Sequence, residues 1–104
     1  MNGKAITVVR IYLHESESLP QRLLDYLHDE AGVRGVTVFR GVTGFGASGK
    51  FHTARLLDLS LDLPVVIEFF DEEKTVADII DHLEAMIKPG HMVYWQARVN
   101  DKED

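Results

Sequence analysis

The sequence predicts an α+β domain of the ferredoxin-like kind, a four-stranded antiparallel sheet carrying two helices on one face. Three observations lead there. Four runs rich in β-branched and aromatic residues interleave with two helical periodicities in the order β-α-β-β-α-β. Short connections and right-handed crossovers turn that order into a split βαβ sheet. The 104 residues suffice for one core and not for two, so residues 1–104 are expected to form a single domain.

The elements follow in order. Residues 4–13, Lys-Ala-Ile-Thr-Val-Val-Arg-Ile-Tyr-Leu, are strand-forming types and read as the first strand. Ser18 with Gln21 matches a capping box, and Pro20 suits a first helical turn. Leu19, Leu23, Leu24, Leu27 and Ala31 then recur at helical spacing until Gly32 stops the helix. Val36 to Thr43 form the second strand, leading into Gly44-Phe45-Gly46. Residues 47–62 are a long loop whose leucines, Leu56, Leu57, Leu59 and Leu61, suit either a short helical turn or ordered coil. Pro64 opens a third strand, Val65 to Phe70. Asp71 or Thr75 is placed to cap a second helix with the stripe Val76, Ile79, Ile80, Leu83, Met86 and Ile87, ended by Pro89-Gly90. Met92 to Val99 make the last strand, and the acidic end, residues 101–104, is expected to be flexible.

The strands are apolar on both sides. Ala5, Val9, Ile11 and Leu13 alternate with Ile6, Val8 and Tyr12; Val65, Ile67 and Phe69 with Val66, Glu68 and Phe70; Val93, Trp95, Ala97 and Val99 with Met92, Tyr94, Gln96 and Arg98. Two helices cover one face of four strands, so the other face needs a second cover. A homo-oligomer is the expectation.

Composition narrows the function. The formal net charge is -6, with eleven Lys and Arg scattered among seventeen Asp and Glu, which argues against a phosphate-backbone binder of nucleic acid. The absence of cysteine excludes disulfides, thiol catalysis and zinc-thiolate sites. The sequence shows neither signal-peptide features nor an apolar run of about 20 residues able to span a bilayer, so a cytoplasmic location is expected.

Gly44-Phe45-Gly46-Ala47-Ser48-Gly49 spells G-x-G-x-x-G after a strand, but a Rossmann site follows the first strand of a larger parallel sheet. Extended to Lys50 it spells most of a P-loop, with Phe51 where Mg²⁺ coordination needs Ser or Thr. Two readings stand. Backbone N–H groups of the turn with Lys50 hold a phosphate or carboxylate, or the glycines merely permit tight turning. His14, His28, His52, His82 and His91, with Glu15 and Glu17, show no tight metal-ligand spacing, and no metal or cofactor is expected. Glu72-Glu73 oppose a helix dipole, and Tyr94 and Trp95 read as core or interface residues.

The run Val42-Thr43-Gly44-Phe45-Gly46-Ala47-Ser48-Gly49-Lys50-Phe51-His52-Thr53, with Leu59-Ser60-Leu61-Asp62-Leu63-Pro64 and Val65-Val66-Ile67-Glu68, resembles the PII signal-transduction proteins, specifically a PII-like branch known as a domain of unknown function. The resemblance covers essentially the whole chain. It implies a homotrimer with adenine nucleotides in intersubunit clefts, and a loop after the second strand that engages a partner protein, such as a membrane transporter. Carried over by position, Gly44, Phe45 and Gly46 line the cleft, and Gly49, Lys50 and His52 begin the regulatory loop. Lys88, Gly90 and His91 replace the second cleft-lining loop, and Arg98 sits on the last strand. The chain departs from the PII pattern at Val66, where PII proteins place a phosphate-binding lysine, in the shortened turn Lys88-Pro89-Gly90-His91, and in retaining one arginine, Arg98, of two. Each lost cation removes a charge-assisted bond of about 1.5–3 kcal/mol, so a weak triphosphate site is expected, with a monophosphate nucleotide, another small anion, or no nucleotide at all as plausible as ATP.

The expected function is therefore a non-enzymatic, PII-like trimeric regulator that binds a small ligand. Two alternatives remain: a small ferredoxin-fold enzyme, acylphosphatase- or monooxygenase-like, using Arg10, His52 and Arg98, and a purely structural assembly protein.

Overall fold

The computed structural model describes residues 3–46, 49, 51–53 (backbone only) and 62–101. Four strands, β1 (Lys4–His14), β2 (Val36–Arg40), β5 (Pro64–Asp71) and β6 (Met92–Val99), form one antiparallel sheet in the order β2-β5-β1-β6. A short hairpin of β3 (Thr43–Phe45) and β4 (Phe51–Thr53) stands apart from it. Helices α1 (Leu19–Asp25) and α2 (Glu73–Leu83) lie on one face. The predicted element order and ferredoxin-like topology are both present.

The core forms where the sequence alternation meets the helical stripes. Val9, Ile11 and Leu13 of β1 and Val65, Ile67 and Phe69 of β5 face Leu23 and Leu27 on one side and Val76, Ile79, Ile80, Leu83 and Ile87 on the other. Each fully buried side chain of this size contributes about 1.5–3 kcal/mol. The opposite face stays open, with Tyr12, Phe39, Phe70, Val93 and Trp95 each about two-fifths or more exposed. Near its middle Arg10 Nε donates to Glu68 at 2.6 Å, and the guanidinium lies 5.5 Å from the Trp95 ring centre.

Local structure departs from the sequence reading in three places. Ser18 is the N-cap of α1 but is itself helical, with φ -79° and ψ -15°, and makes no side-chain capping bond. Gln21 instead donates to Asp25 at 2.8 Å. The helix widens to π winding over Tyr26–Ala31 before Gly32 closes it at φ +64°. At α2 the N-cap is Glu72, and its N–H is met by the Asp71 carboxylate at 2.8 Å.

The third departure shapes the site. The second strand stops at Arg40 instead of running to Thr43. Its partner β5 begins at Pro64, and the Gly41 N–H donates to the Pro64 carbonyl at 2.7 Å. With no further partner on β5, Thr43–Phe45 turns away to pair with Phe51–Thr53. The alternatives for Leu56, Leu57, Leu59 and Leu61 fall outside the described residues.

Candidate functional site

Both predicted glycine turns lie at one end of the sheet. β1 and β2 run toward that end, and β5 and β6 start from it. At the β2 corner the chain passes so closely over Pro64 that a Cβ on Gly41 would lie 3.2 Å from the proline ring and one on Gly44 only 2.9 Å. Glycine is required here by proximity, since neither residue has positive φ. Gly46 meets nothing within 4 Å of where its Cβ would be. Its carbonyl accepts the Gly49 N–H at 2.9 Å, with Gly49 at φ +73°. Phe45 and Val42 are largely exposed beside the turn. Lys50 and the His52 side chain lie outside the described residues; the His52 backbone pairs with Gly44.

The opposite corner is built by the end of α2. Gly90 at φ +87° turns the chain, and the His91 N–H closes the turn on the Lys88 carbonyl at 3.2 Å. Tyr12 N–H donates to the His91 carbonyl at 2.8 Å, while His91 Nδ1 lies 3.1 Å from the Tyr12 carbonyl. The carbonyl can only accept, so this geometry fits a protonated Nδ1. Beside the turn is a cleft of about 380 Å³ lined by Glu84, Ile87, Lys88, Gly90, Met92 and Tyr94. Tyr94 keeps half of its surface exposed there, giving an aromatic wall beside a lysine. Such a wall suits a planar ring, and the lysine suits an anion.

The two corners occupy opposite edges of the sheet, with β5 and β1 between them, so about 14 Å separates their strands at ~4.8 Å per spacing. One copy of the chain does not bring Gly44-Phe45-Gly46 to Lys88 and Gly90. Arg98 is farther still, six residues along β6 from Met92, roughly 20 Å at 3.3 Å per residue. Its Nη1 donates to the Gly3 carbonyl at 2.9 Å. Arg10 and Arg98 lie on opposite faces, because Arg10 pairs with Val93 and Arg98 is an odd number of positions, five, further along β6.

One charged residue at this end carries no sequence signal. Arg40, the last residue of β2, reaches across the start of β5 to Glu15, its Nη2 lying 2.8 Å from both carboxylate oxygens. Glu15 and Ser16 are themselves fastened to the chain where it returns to the sheet. Glu15 N–H donates to the Leu63 carbonyl at 2.9 Å, and Ser16 N–H to Asp62 Oδ1 at 3.1 Å. No local motif signals this pair, since its members are 25 residues apart.

Among the described residues no group of three His, Asp or Glu is gathered to hold a metal ion. No helix there is long and apolar enough to cross a membrane.

Comparison with known proteins accords with this geometry. A UPF0166 protein of Aquifex aeolicus is 30% identical over 94 residues, spanning 88% of this chain and 94% of that one. Among solved structures, CPII of Thiomonas intermedia K12, a nitrogen regulatory PII-like protein bound to ADP, AMP and bicarbonate, superposes with a TM-score of 0.72. It is 20% identical, over 94% of this chain and 91% of that one. A putative PII-like signaling protein of Thermus thermophilus gives a TM-score of 0.64 at 17% identity, over 95% of this chain and 91% of that one. The fold is thus PII-like. A family model described as Uncharacterized ACR matches residues 6–99, and the chain belongs to that family, DUF190.

Proposed function

We propose that this protein is a cytoplasmic, non-enzymatic PII-like regulator. Three copies form a ring, a small ligand of the adenine-nucleotide class binds in the clefts between them, and the loop over residues 47–62 reports occupancy to a partner protein such as a membrane transporter.

One observation carries the reading: the two glycine turns share an end of the sheet but sit on its two outer edges, β2 and β6. When the β2 edge of one copy meets the β6 edge of the next, the strands are antiparallel and the turns become neighbours. Such head-to-tail contact is heterologous and forms a ring where the rotation between copies closes. The same ring pairs both outer edges, which otherwise template aggregation, and turns the open face with Trp95, Tyr12 and Phe70 toward the common axis.

In each cleft Tyr94 and Met92 would receive the base, and the Gly44–Gly46 turn with Lys88 the phosphate. The binding of ADP and AMP by CPII supports that ligand class. With Val66 in the third strand, few cations remain for a triphosphate, so AMP or ADP is preferred over ATP. Calorimetry with AMP, ADP, ATP and cyclic AMP, alongside native mass, tests the reading. A trimer that binds AMP or ADP is expected. A trimer giving no heat with any of the four would remove the nucleotide, and a lone subunit would remove the cleft.

A further inference from the structure

Arg40 has a geometry that the proposed function does not use. It ends β2, directly before Gly41, on the corner where Gly41 and Gly44 both abut Pro64. Its guanidinium already holds an oxyanion, the Glu15 carboxylate, with one nitrogen at 2.8 Å from both oxygens. Both side chains are well exposed, Arg40 at 57% and Glu15 at 37%. Exposed ion pairs of this kind are weak and readily exchanged. A phosphate carries more charge and more acceptor oxygens than a carboxylate, and arginine is the side chain best shaped to receive it.

We propose that Arg40 is an oxyanion-binding residue of the cleft, and that Glu15 is its internal competitor. This rests on the cleft reading above. The incoming anion takes Arg40 from Glu15, and the consequence is local to the loop's root. Glu15 and Ser16 are bonded to Leu63 and Asp62, where residues 47–62 rejoin the sheet, whereas Arg40 stands where the chain leaves it. Exchange of partners therefore acts on Glu15 beside the point where the chain rejoins the sheet. The shared chemistry is an oxyanion, with two sources, the phosphate of a nucleotide and free bicarbonate.

The test is calorimetry on the full chain with AMP, adenosine and bicarbonate as separate probes, using wild type, Arg40→Gln and Glu15→Gln. Arg40→Gln is expected to weaken AMP binding about tenfold or more, the loss of a charge-assisted bond, while leaving adenosine binding and native mass unchanged. Glu15→Gln is expected to tighten AMP binding several-fold. A bicarbonate response lost in Arg40→Gln, with AMP unaffected, would overturn the phosphate assignment in favour of the smaller anion. If Arg40→Gln binds all three probes like wild type, or if Glu15→Gln weakens AMP as much as Arg40→Gln does, the exchange is wrong while the cleft stands. If wild type binds none of the three, this proposal falls together with the nucleotide reading.

Discussion

Replacing Trp95 by glutamate tests the ring most directly, because in one subunit the residue lies on the open sheet face. The indole is 41% exposed, so of the roughly 250 Å² a tryptophan offers, about 100 Å² awaits cover. At ~25 cal/mol per Å² that surface contributes about 2.5 kcal/mol per copy on assembly, close to a 60-fold effect on each subunit's association. Within the subunit the loss is smaller. The Arg10 contact at 5.5 Å is a cation–π pair of about 0.5–1 kcal/mol, and the new carboxylate faces the same guanidinium, an opposite charge. Trp95→Glu should therefore keep its circular dichroism and sediment as a single subunit at micromolar concentrations where wild type is expected to be a trimer. A variant that assembles with the wild-type concentration dependence would refute the argument that this face is buried between copies.

Other substitutions separate the roles of individual residues. Phe69→Ala, at a side chain 1% exposed, should lower stability by about 3–5 kcal/mol in urea unfolding, with the slope unchanged. Gly44→Ala forces a Cβ to 2.9 Å from the Pro64 ring and should cost about 1–3 kcal/mol. Gly46→Ala meets open space and should leave the melting temperature unchanged while weakening the ligand; equal melting temperatures for the two variants would contradict the Pro64 contact. The Lys4–Glu72 pair gives a pH signature. The hydrogen bond and charge of Lys4 hold the Glu72 carboxyl below its ordinary 4.5, and the same partner raises Lys4 above 10.5. The pair's stabilisation is thus fully present above about pH 4.5 and fades as pH falls through the depressed Glu72 value; on the alkaline side it is lost as pH rises through the raised Lys4 value. In Lys4→Met the Glu72 midpoint, followed by NMR, should move back up toward 4.5.

The fold was legible where burial imposes period on the sequence. Val9, Ile11 and Leu13 alternate, Val76, Ile79, Ile80 and Leu83 recur by turns of a helix, and no other arrangement buries both sets. Details set by distant partners were not legible. Whether β2 stops at Arg40 depends on Pro64, more than twenty residues later. The capping box at Ser18 and Gln21 failed because the local dihedrals, not residue identity, decide where the hydroxyl points. The π winding over Tyr26–Ala31 shares the apolar spacing of an ordinary helix; there the Tyr26 ring stacks on His82 at 4.1 Å, a contact between helices that neither sequence stretch announces. Of the site, the glycine turns and Lys88 could be picked out by type, but their separation across the sheet and the Arg40–Glu15 pair emerge only in the folded chain.

The way the chain departs and rejoins at one corner has a consequence for what evolution can vary. The Thr43–Phe45 and Phe51–Thr53 ladder forms one post, and the bonds from Glu15 and Ser16 to Leu63 and Asp62 form the other. Because both posts are held by hydrogen bonds, a segment spliced between them pays a closure entropy that grows by only about 0.6 kcal/mol per doubling of its length. Segments of very different size and chemistry can thus be carried on one scaffold, which in the proposed regulator would let partner choice diverge while the sheet beneath stays as it is.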